Sequence, residues 1–141
     1  MMSLEENKAF VKKYVEDLDV HQGPNPDMIT SDFRVVVSAG QPFDAKTYKG
    51  YAVDYYKSIP DNTHKVIQMI AEGNKVVAYI TAGGTHTGAL WGIAPTKKYI
   101  EDHAIAIFTL RNGKIAEQRM VVDDLGMMKQ IADVELKPKK G

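Results

Sequence analysis

The side chains best suited to chemistry in this sequence are carboxylates and imidazoles near the ends of apolar segments. Asp123 follows an apolar segment that ends at Val122. A carboxylate kept partly from water has a raised pKa and can act as a general base. A neutral imidazole such as His64 or His86 can donate a hydrogen bond to a developing enolate oxygen or relay a proton. These three residues are the predicted catalytic groups of an acid–base enzyme.

Each of these residues also has a structural alternative. Asp123 precedes the last predicted helix, where its carboxylate would accept hydrogen bonds from free backbone N–H groups as an N-cap. Asp124 is available for the same capping role, which leaves Asp123 free for catalysis. His86 is flanked by Thr and Gly on both sides, a pattern typical of a bend or bulge at a sheet corner. His64 fits a structural role near a strand end equally well.

Composition excludes several other classes of function. The four histidines show no metal-ligand spacing, and the chain has no cysteine, so neither a metal site nor a disulfide is expected. Lys+Arg and Asp+Glu are both 18, which favours no surface for nucleic acid or an anionic membrane. No apolar segment approaches the roughly 20 residues that span a bilayer, and no signal peptide is evident, so a cytoplasmic protein is expected.

The 141 residues suit one domain, predicted over residues 1–136 with a frayed tail at 137–141. A capping box at Ser3–Glu6 begins a first helix, which ends before Gly23. Asp44 is the predicted N-cap of a second long helix. Between these helices, residues 24–31 form a short helix or turn, and residues 33–37 form a strand.

The second half of the chain changes to strands joined by tight turns. Two hairpins are predicted, each with a Gly-Asn or Asn-Gly turn: residues 64–72 with 75–87, and residues 98–111 with 114–123. A short closing helix is predicted at residues 125–132. Helices followed by an antiparallel sheet indicate an α+β protein, with helices packed on one face of a curved sheet.

The turn at Asn112-Gly113 predicts which side chains of the second hairpin share a face. A two-residue turn places Asp102 opposite Asp123, and two nearby carboxylates raise one pKa toward a useful range. The face of Asp123 then also carries the following residues: Ala104, Ala106, Phe108, Ile115, Glu117, Arg119 and Val121. A bulge near the strand end would break the pairing of Asp102 with Asp123.

Both faces of this hairpin are largely apolar, so both need cover. The helices can cover one face, and a second copy of the chain can cover the other, which predicts a homodimer. The predicted substrate-binding residues are Arg119, Trp91, Phe108 and Tyr55. Arg119 is alternatively an ion partner of Glu117, and Trp91 and Tyr55 are alternatively ordinary packing residues.

Several segments, in order and over roughly residues 6 to 132, resemble the SnoaL-like polyketide cyclases of the nuclear transport factor 2-like superfamily. The segments that carry the resemblance are 61–64, 70–77, 84–88, 92–96, 105–108, 112–117 and 123–130. The resemblance implies an α+β cone of three helices against a curved sheet, an internal hydrophobic pocket, frequent dimers, no metal and no organic cofactor.

The resemblance also implies a reaction, because characterised members close a polyketide ring by intramolecular aldol condensation. Their catalytic aspartate matches Asp123, and His64 and His86 match family positions. Arg119 and Ala106 depart from the family pattern, which often has an aromatic residue and an aspartate there. The prediction is a cofactor-free enzyme acting on a hydrophobic carbonyl compound. The alternative is a non-catalytic small-molecule-binding protein of the same fold.

Overall fold

The computed structural model of the chain describes residues 2–140. Its elements are α1 (Leu4–His21), a 3-10 turn (Pro26–Met28), β1 (Ile29–Val37), β2 (Phe43–Asp44), α2 (Ala45–Ser58), β3 (Thr63–Glu72), β4 (Lys75–Thr85), β5 (Tyr99–Arg111), β6 (Lys114–Val122) and α3 (Asp124–Ile131). Every predicted helix and strand is present, and β2 is an addition. Residues 133–140 form neither helix nor strand, and Gly141 of the predicted tail lies outside the described residues.

Local sequence signals account for where the helices begin. In the predicted capping box, the Ser3 hydroxyl accepts from the Glu6 N–H and the Glu6 carboxylate accepts from the Ser3 N–H, both at 3.1 Å. Asp44 caps α2 through a 2.8 Å hydrogen bond from the Thr47 N–H. Both predicted N-caps are confirmed.

The strands form one curved, unclosed sheet in the order β2-β1-β6-β5-β4-β3. Neighbouring strands are antiparallel except β1 and β6, which are parallel. With its helices, this sheet confirms the predicted α+β class. Among residues 2–140, no helix combines the length and the apolar character needed to cross a lipid bilayer.

The register predicted for the second hairpin is wrong beyond the turn. Arg111 pairs with Lys114 as expected, but the register then shifts by one residue, so that Thr109 pairs with Glu117 instead of Ala116. The cause is a β-bulge at Ile115-Ala116, where two consecutive side chains are buried. A one-residue shift moves every later side chain of β6 to the opposite face of the sheet.

The two faces are therefore composed differently from the prediction. The inner face, which the helices cover, carries Ala104, Ala106, Phe108, Gln118, Met120 and Val122. The outer face carries His103, Ile105, Ile107, Glu117, Arg119, Val121 and Asp123. The charged side chains of Glu117 and Arg119 thus lie on the outer face, where they pair with each other at 3.6 Å.

One end of the inner face, here called the packed end, holds the main hydrophobic core. Helix α1 covers it with Val11, Tyr14 and Val15, which pack on Val76 and Phe108. The rings of Tyr14 and Phe108 lie 5.8 Å apart at 75°, an edge-to-face arrangement. This end of the sheet is closed by packing.

Helix α3 packs on the other end of β5 and is tied to it by one side chain. Gln130 accepts from the Glu101 N–H at 2.8 Å and donates to the Glu101 carbonyl at 2.7 Å. The apolar contacts come from a second cluster of buried residues: Ile59, Leu90, Ile100, Met127 and Ile131. These contacts hold the last turn of α3 beside the start of β5.

Candidate active site

A cavity of about 540 Å³ lies between α2, the last turn of α1 and the inner face of the sheet. This volume is in the range of small-molecule sites, about 300–1,000 Å³. We call this region the cavity end of the inner face, in contrast to the packed end. Its wall is largely aromatic and apolar, with Tyr48, Tyr55, Leu90, Trp91 and Met120 among its members.

The charged side chains of the wall are all acidic or imidazole. Asp54, Asp102, Asp124 and His64 line the cavity, and within residues 2–140 the lining includes neither Lys nor Arg. A cavity of this kind repels anionic ligands and accepts neutral apolar ones.

Asp102 is the most perturbed carboxylate of the cavity. It lies on β5, half-buried, and its Oδ1 accepts a 2.8 Å hydrogen bond from the His103 N–H. Burial, with the negative charges of Asp124 and Asp123, raises the pKa of Asp102 to about 6. A carboxylate with this pKa both accepts and returns protons near neutral pH.

The partner of Asp102 is Asp124, whereas the sequence predicted Asp123. Ala104 pairs with Val122, and this register, continued toward α3, places Asp124 beside Asp102. Asp124 belongs to the first turn of α3 and reaches the cavity rim, where it is exposed to solvent. Partial desolvation of its carboxylate and the charge of Asp123 raise the pKa of Asp124.

Asp123 lies outside the cavity and caps α3. Its Oδ1 accepts a 3.0 Å hydrogen bond from the Gly126 N–H, and its own N–H donates to the His103 carbonyl at 2.9 Å. The two adjacent aspartates therefore have roles opposite to those expected from the sequence, with Asp123 capping the helix and Asp124 lining the cavity. Catalysis by Asp123 stays a prediction.

Tyr55 supplies a neutral hydroxyl beside the acidic pair. Burial, together with the charges of Asp102 and Asp124, raises the pKa of Tyr55 well above its ordinary value. The hydroxyl remains protonated, and its partner is the Met127 sulfur at 3.6 Å. Sulfur is a weak acceptor, so a ligand oxygen would be a stronger partner for this hydroxyl.

Three of the predicted site residues line the cavity, namely His64, Trp91 and Tyr55. Trp91 is 45% exposed and has a φ of 51°. That left-handed conformation is unfavourable for a residue with a large side chain. A half-exposed aromatic side chain on a strained backbone at the cavity wall fits the predicted contact with a ligand.

The other predicted site residues lie elsewhere. His86 is fully buried outside the cavity, and its Nδ1 accepts from the Thr96 N–H at 3.2 Å, which ties the loop after β4 to the segment before β5. Phe108 belongs to the packed end. Arg119 is half-exposed on the outer face, and its guanidinium group lies 3.6 Å from the Glu117 carboxylate. This ion pair is the alternative role that the sequence indicated for Arg119.

The sequence patterns did not indicate Asp124 as a cavity residue and assigned no role to Asp19. Glu117 and Arg119 are charged residues two positions apart, and that alternation is the signal that β6 turns these side chains to solvent. This alternation predicts Met120 and Val122 on the inner face of the sheet and Asp124 at the cavity. No sequence signal was available for Asp19, since its partner His64 is distant in the chain.

Comparison with known proteins agrees with this architecture. The structure of AclR from Streptomyces galilaeus, a candidate hydroxylase, superimposes with a TM-score of 0.84 at 20% identity, covering 97% of this chain and 91% of AclR. IdmH from Streptomyces antibioticus, a candidate polyketide cyclase, gives a TM-score of 0.75 at 22% identity, covering 92% and 98%. At these identities the likeness concerns the fold. No curated protein matches the sequence.

The sequence model of the SnoaL-like polyketide cyclases matches residues 24–131, which include α2, the whole sheet and the acidic pair. The chain therefore belongs to the SnoaL-like polyketide cyclase family and has its nuclear transport factor 2-like fold.

Proposed function

We propose that this protein is an enzyme that moves a proton at the carbon next to a carbonyl group of a neutral, hydrophobic small molecule. The observation that carries the proposal is Asp102, a carboxylate with a raised pKa in an apolar cavity beside a second carboxylate. Perturbed carboxylate pairs of this kind are typical of acid–base sites.

In the proposed step, the Asp102 carboxylate takes a proton from the carbon. The electron pair of the broken C–H bond forms a carbon–carbon double bond, and the carbonyl oxygen becomes an enolate oxygen. The neutral hydroxyl of Tyr55 donates a hydrogen bond to that oxygen. No electron leaves or enters the substrate, so the reaction needs no redox cofactor.

The test uses 1-tetralone, an uncharged aromatic ketone with exchangeable protons beside its carbonyl. Exchange of these protons for deuterium in D2O is followed by NMR, with and without protein. We expect Asp102→Asn to bind the ketone and to lose exchange by about 10²–10⁴-fold, the usual contribution of a general base.

Asp123→Asn is the matched control, because the adjacent carboxylate is removed without touching the cavity. We expect it to retain exchange. Loss of exchange in Asp123→Asn but not in Asp102→Asn would identify Asp123 as the general base. Binding of 1-tetralone without catalysed exchange would contradict the proposal and favour the non-catalytic binding protein.

We also propose that a second copy of the chain covers the outer face. Ile105 and Val121, 51% and 65% exposed, pair across β5 and β6. The chain has no net charge to oppose self-association. Light scattering at micromolar concentration should give a dimer mass, and Ile105→Lys should give a monomer. A monomeric wild-type protein would contradict this proposal.

A further inference from the structure

Asp19, in the last turn of α1, holds one histidine of the cavity wall by two hydrogen bonds. Its Oδ2 accepts from the His64 N–H at 2.8 Å, and its Oδ1 lies 2.7 Å from His64 Nδ1. The Tyr56 hydroxyl donates a third hydrogen bond, to Oδ1 at 2.5 Å. Burial alone would raise the pKa of Asp19, but the hydrogen bonds from His64 and Tyr56 outweigh it and lower that pKa. Asp19 is therefore an ionised acceptor.

An ionised Asp19 determines which nitrogen of His64 carries the proton. A carboxylate that accepts from Nδ1 requires a proton on Nδ1, so the neutral ring presents a lone pair at Nε2. Nε2 makes no hydrogen bond to any of residues 2–140 and is not fully buried. Because His64 lines the cavity, Nε2 is a base that is open to a molecule there.

The nucleophile that this base can serve is water. In hydrolytic enzymes, a histidine oriented by a carboxylate takes its proton from a nucleophile in hydrogen-bond contact. This chain has no cysteine, and the hydroxyl group of Ser58 on the cavity wall donates to the Ala89 carbonyl at 2.6 Å. Within residues 2–140, no hydroxyl group makes a hydrogen bond to His64 Nε2. The side chains therefore leave the place of the nucleophile to a water molecule.

Tyr48 supplies a hydroxyl group with an unused proton. The buried Tyr14 hydroxyl donates to Gln118 Oε1 at 2.7 Å, and Gln118 Nε2 donates to the Tyr48 hydroxyl oxygen at 3.1 Å. Tyr48 is thus an acceptor toward Gln118, and its own proton reaches no acceptor among residues 2–140. Burial raises the pKa of Tyr48, so the hydroxyl stays protonated. Because Tyr48 lines the cavity, it can donate to a ligand oxygen.

The Tyr48 hydroxyl lies near the group that holds His64. Burial and the Asp19 carboxylate raise the pKa of Tyr56 well above its ordinary value, and Tyr48 adds to this rise. An effect of Tyr48 on that pKa requires the two hydroxyl groups to lie close together, because charge interactions weaken with distance. Tyr56 in turn binds the same Asp19 oxygen as His64. A base and a neutral donor therefore meet at one side of the cavity.

We propose that this protein also hydrolyses uncharged esters, with His64 as the general base for water and Tyr48 as the donor to the carbonyl oxygen. Asp19 is a positioning residue, because it touches His64 and not the substrate. An uncharged ester suits the wall, whose described residues include neither Lys nor Arg to bind a substrate anion. This activity is separate from the proposed function, since it uses water and His64 in place of Asp102 and a substrate carbon.

The proposed reaction proceeds in two stages. Nε2 of neutral His64 takes a proton from water while the water oxygen bonds to the ester carbonyl carbon, and Tyr48 donates to the resulting oxyanion. The carbonyl group then reforms, the bond to the alkoxy oxygen breaks, and protonated His64 gives its proton to the leaving oxygen. The products are an alcohol and a carboxylic acid, which ionises in water. Asp54 and Asp124 of the cavity wall repel this carboxylate and favour its release.

The test uses 4-methylumbelliferyl butyrate, an uncharged ester whose hydrolysis releases a fluorescent phenol. We expect saturable hydrolysis by the wild-type protein. His64→Gln should lower kcat by about 100-fold, a usual contribution of a general base. Tyr48→Phe should lower kcat by a similar factor, about 100-fold, through loss of an oxyanion donor. His21→Gln, a change at the exposed end of α1, is the matched control and should keep the wild-type rate.

Asp19→Asn tests the positioning role. In the wild-type protein, nitrogen NMR should show the His64 tautomer with its proton on Nδ1, and Asp19→Asn should remove that preference. Its kcat should fall by at least about 10-fold with little change in KM, because the ring then presents the wrong tautomer. Added imidazole should restore part of the hydrolysis by His64→Ala, above the rate of imidazole alone. A loss of activity caused by misfolding would not respond to imidazole.

Two results would overturn the proposal at once, namely no hydrolysis by the wild-type protein above that of the urea-unfolded chain, or a full rate in His64→Gln. The rate in D2O tests the role of His64 further. Transfer of a proton from water in the slow step predicts slower hydrolysis in D2O. An equal rate in D2O, with an initial burst of the phenol, would instead mean that His64 attacks the ester itself, which would contradict the general-base role.

Discussion

The packed end and the cavity end of the inner face are built from the same strands and have opposite properties. At the packed end, Val76 pairs with Phe108 across β4 and β5, and Tyr14 of α1 covers the pair. At the cavity end, Ala82 pairs with Asp102, and a gap of about 540 Å³ lies above the sheet. The alternation of side chains along a strand decides which face of the sheet a residue occupies. Whether other side chains pack directly over that residue decides whether it belongs to the hydrophobic core or lines the cavity.

The largest expected effect is at the packed end. Phe108→Ala should lower the free energy of unfolding by about 3–5 kcal/mol, because it leaves a cavity in a fully packed core. Urea denaturation measures this loss, and Ile107→Ala, on the outer face, is the control. A small loss of stability together with weaker binding of 1-tetralone would instead support the predicted contact between Phe108 and substrate.

At the cavity end, a substitution is expected to increase the free energy of unfolding. The folded-state pKa of Asp102 is raised to about 6 from 3.8, so the folded protein binds this proton more tightly than the unfolded chain. The resulting stabilisation is complete below the unfolded value and is lost as pH rises through about 6.

Asp102→Asn should therefore increase the free energy of unfolding at pH 7 by about 1 kcal/mol, a figure reduced for partial exposure of the carboxylate. The gain should vanish near pH 3.5. Urea denaturation at the two pH values measures the difference. A variant less stable than the wild type at pH 7 would mean that the charged carboxylate supports the fold.

The adjacent aspartates allow a finer comparison. Asp123→Ala should lower the free energy of unfolding by about 1 kcal/mol through loss of the α3 cap, and it should keep 1-tetralone exchange. Asp124→Ala should leave stability nearly unchanged and lower the pKa of Asp102, because a neighbouring negative charge is removed. The reverse pattern would contradict the assignment of cap and cavity residue.

The sequence predicted the fold well because its signals are local. Capping residues such as Ser3 and Asp44, and turn residues such as Asn112-Gly113, act within a few positions of the structure they specify. The alternation of charged and apolar residues along β6 is equally local.

The site was harder to predict, because it depends on one bulge and on distant contacts. The bulge at Ile115-Ala116 exchanges the faces of β6 and the roles of Asp123 and Asp124. The contact of Asp19 with His64 joins residues 45 positions apart, which no pattern within one sequence connects. Residue types near the site were recognised, whereas their orientations required the structure.

The most direct test of the account is a titration of the Asp102 carboxyl group, followed by carbon NMR and assigned with Asp102→Asn. A site in which burial and Asp124 tune this group predicts a midpoint near pH 6 and a lower midpoint in Asp124→Asn. A midpoint near the ordinary value of 3.8, unchanged in Asp124→Asn, would contradict the claim that the cavity end is an acid–base site.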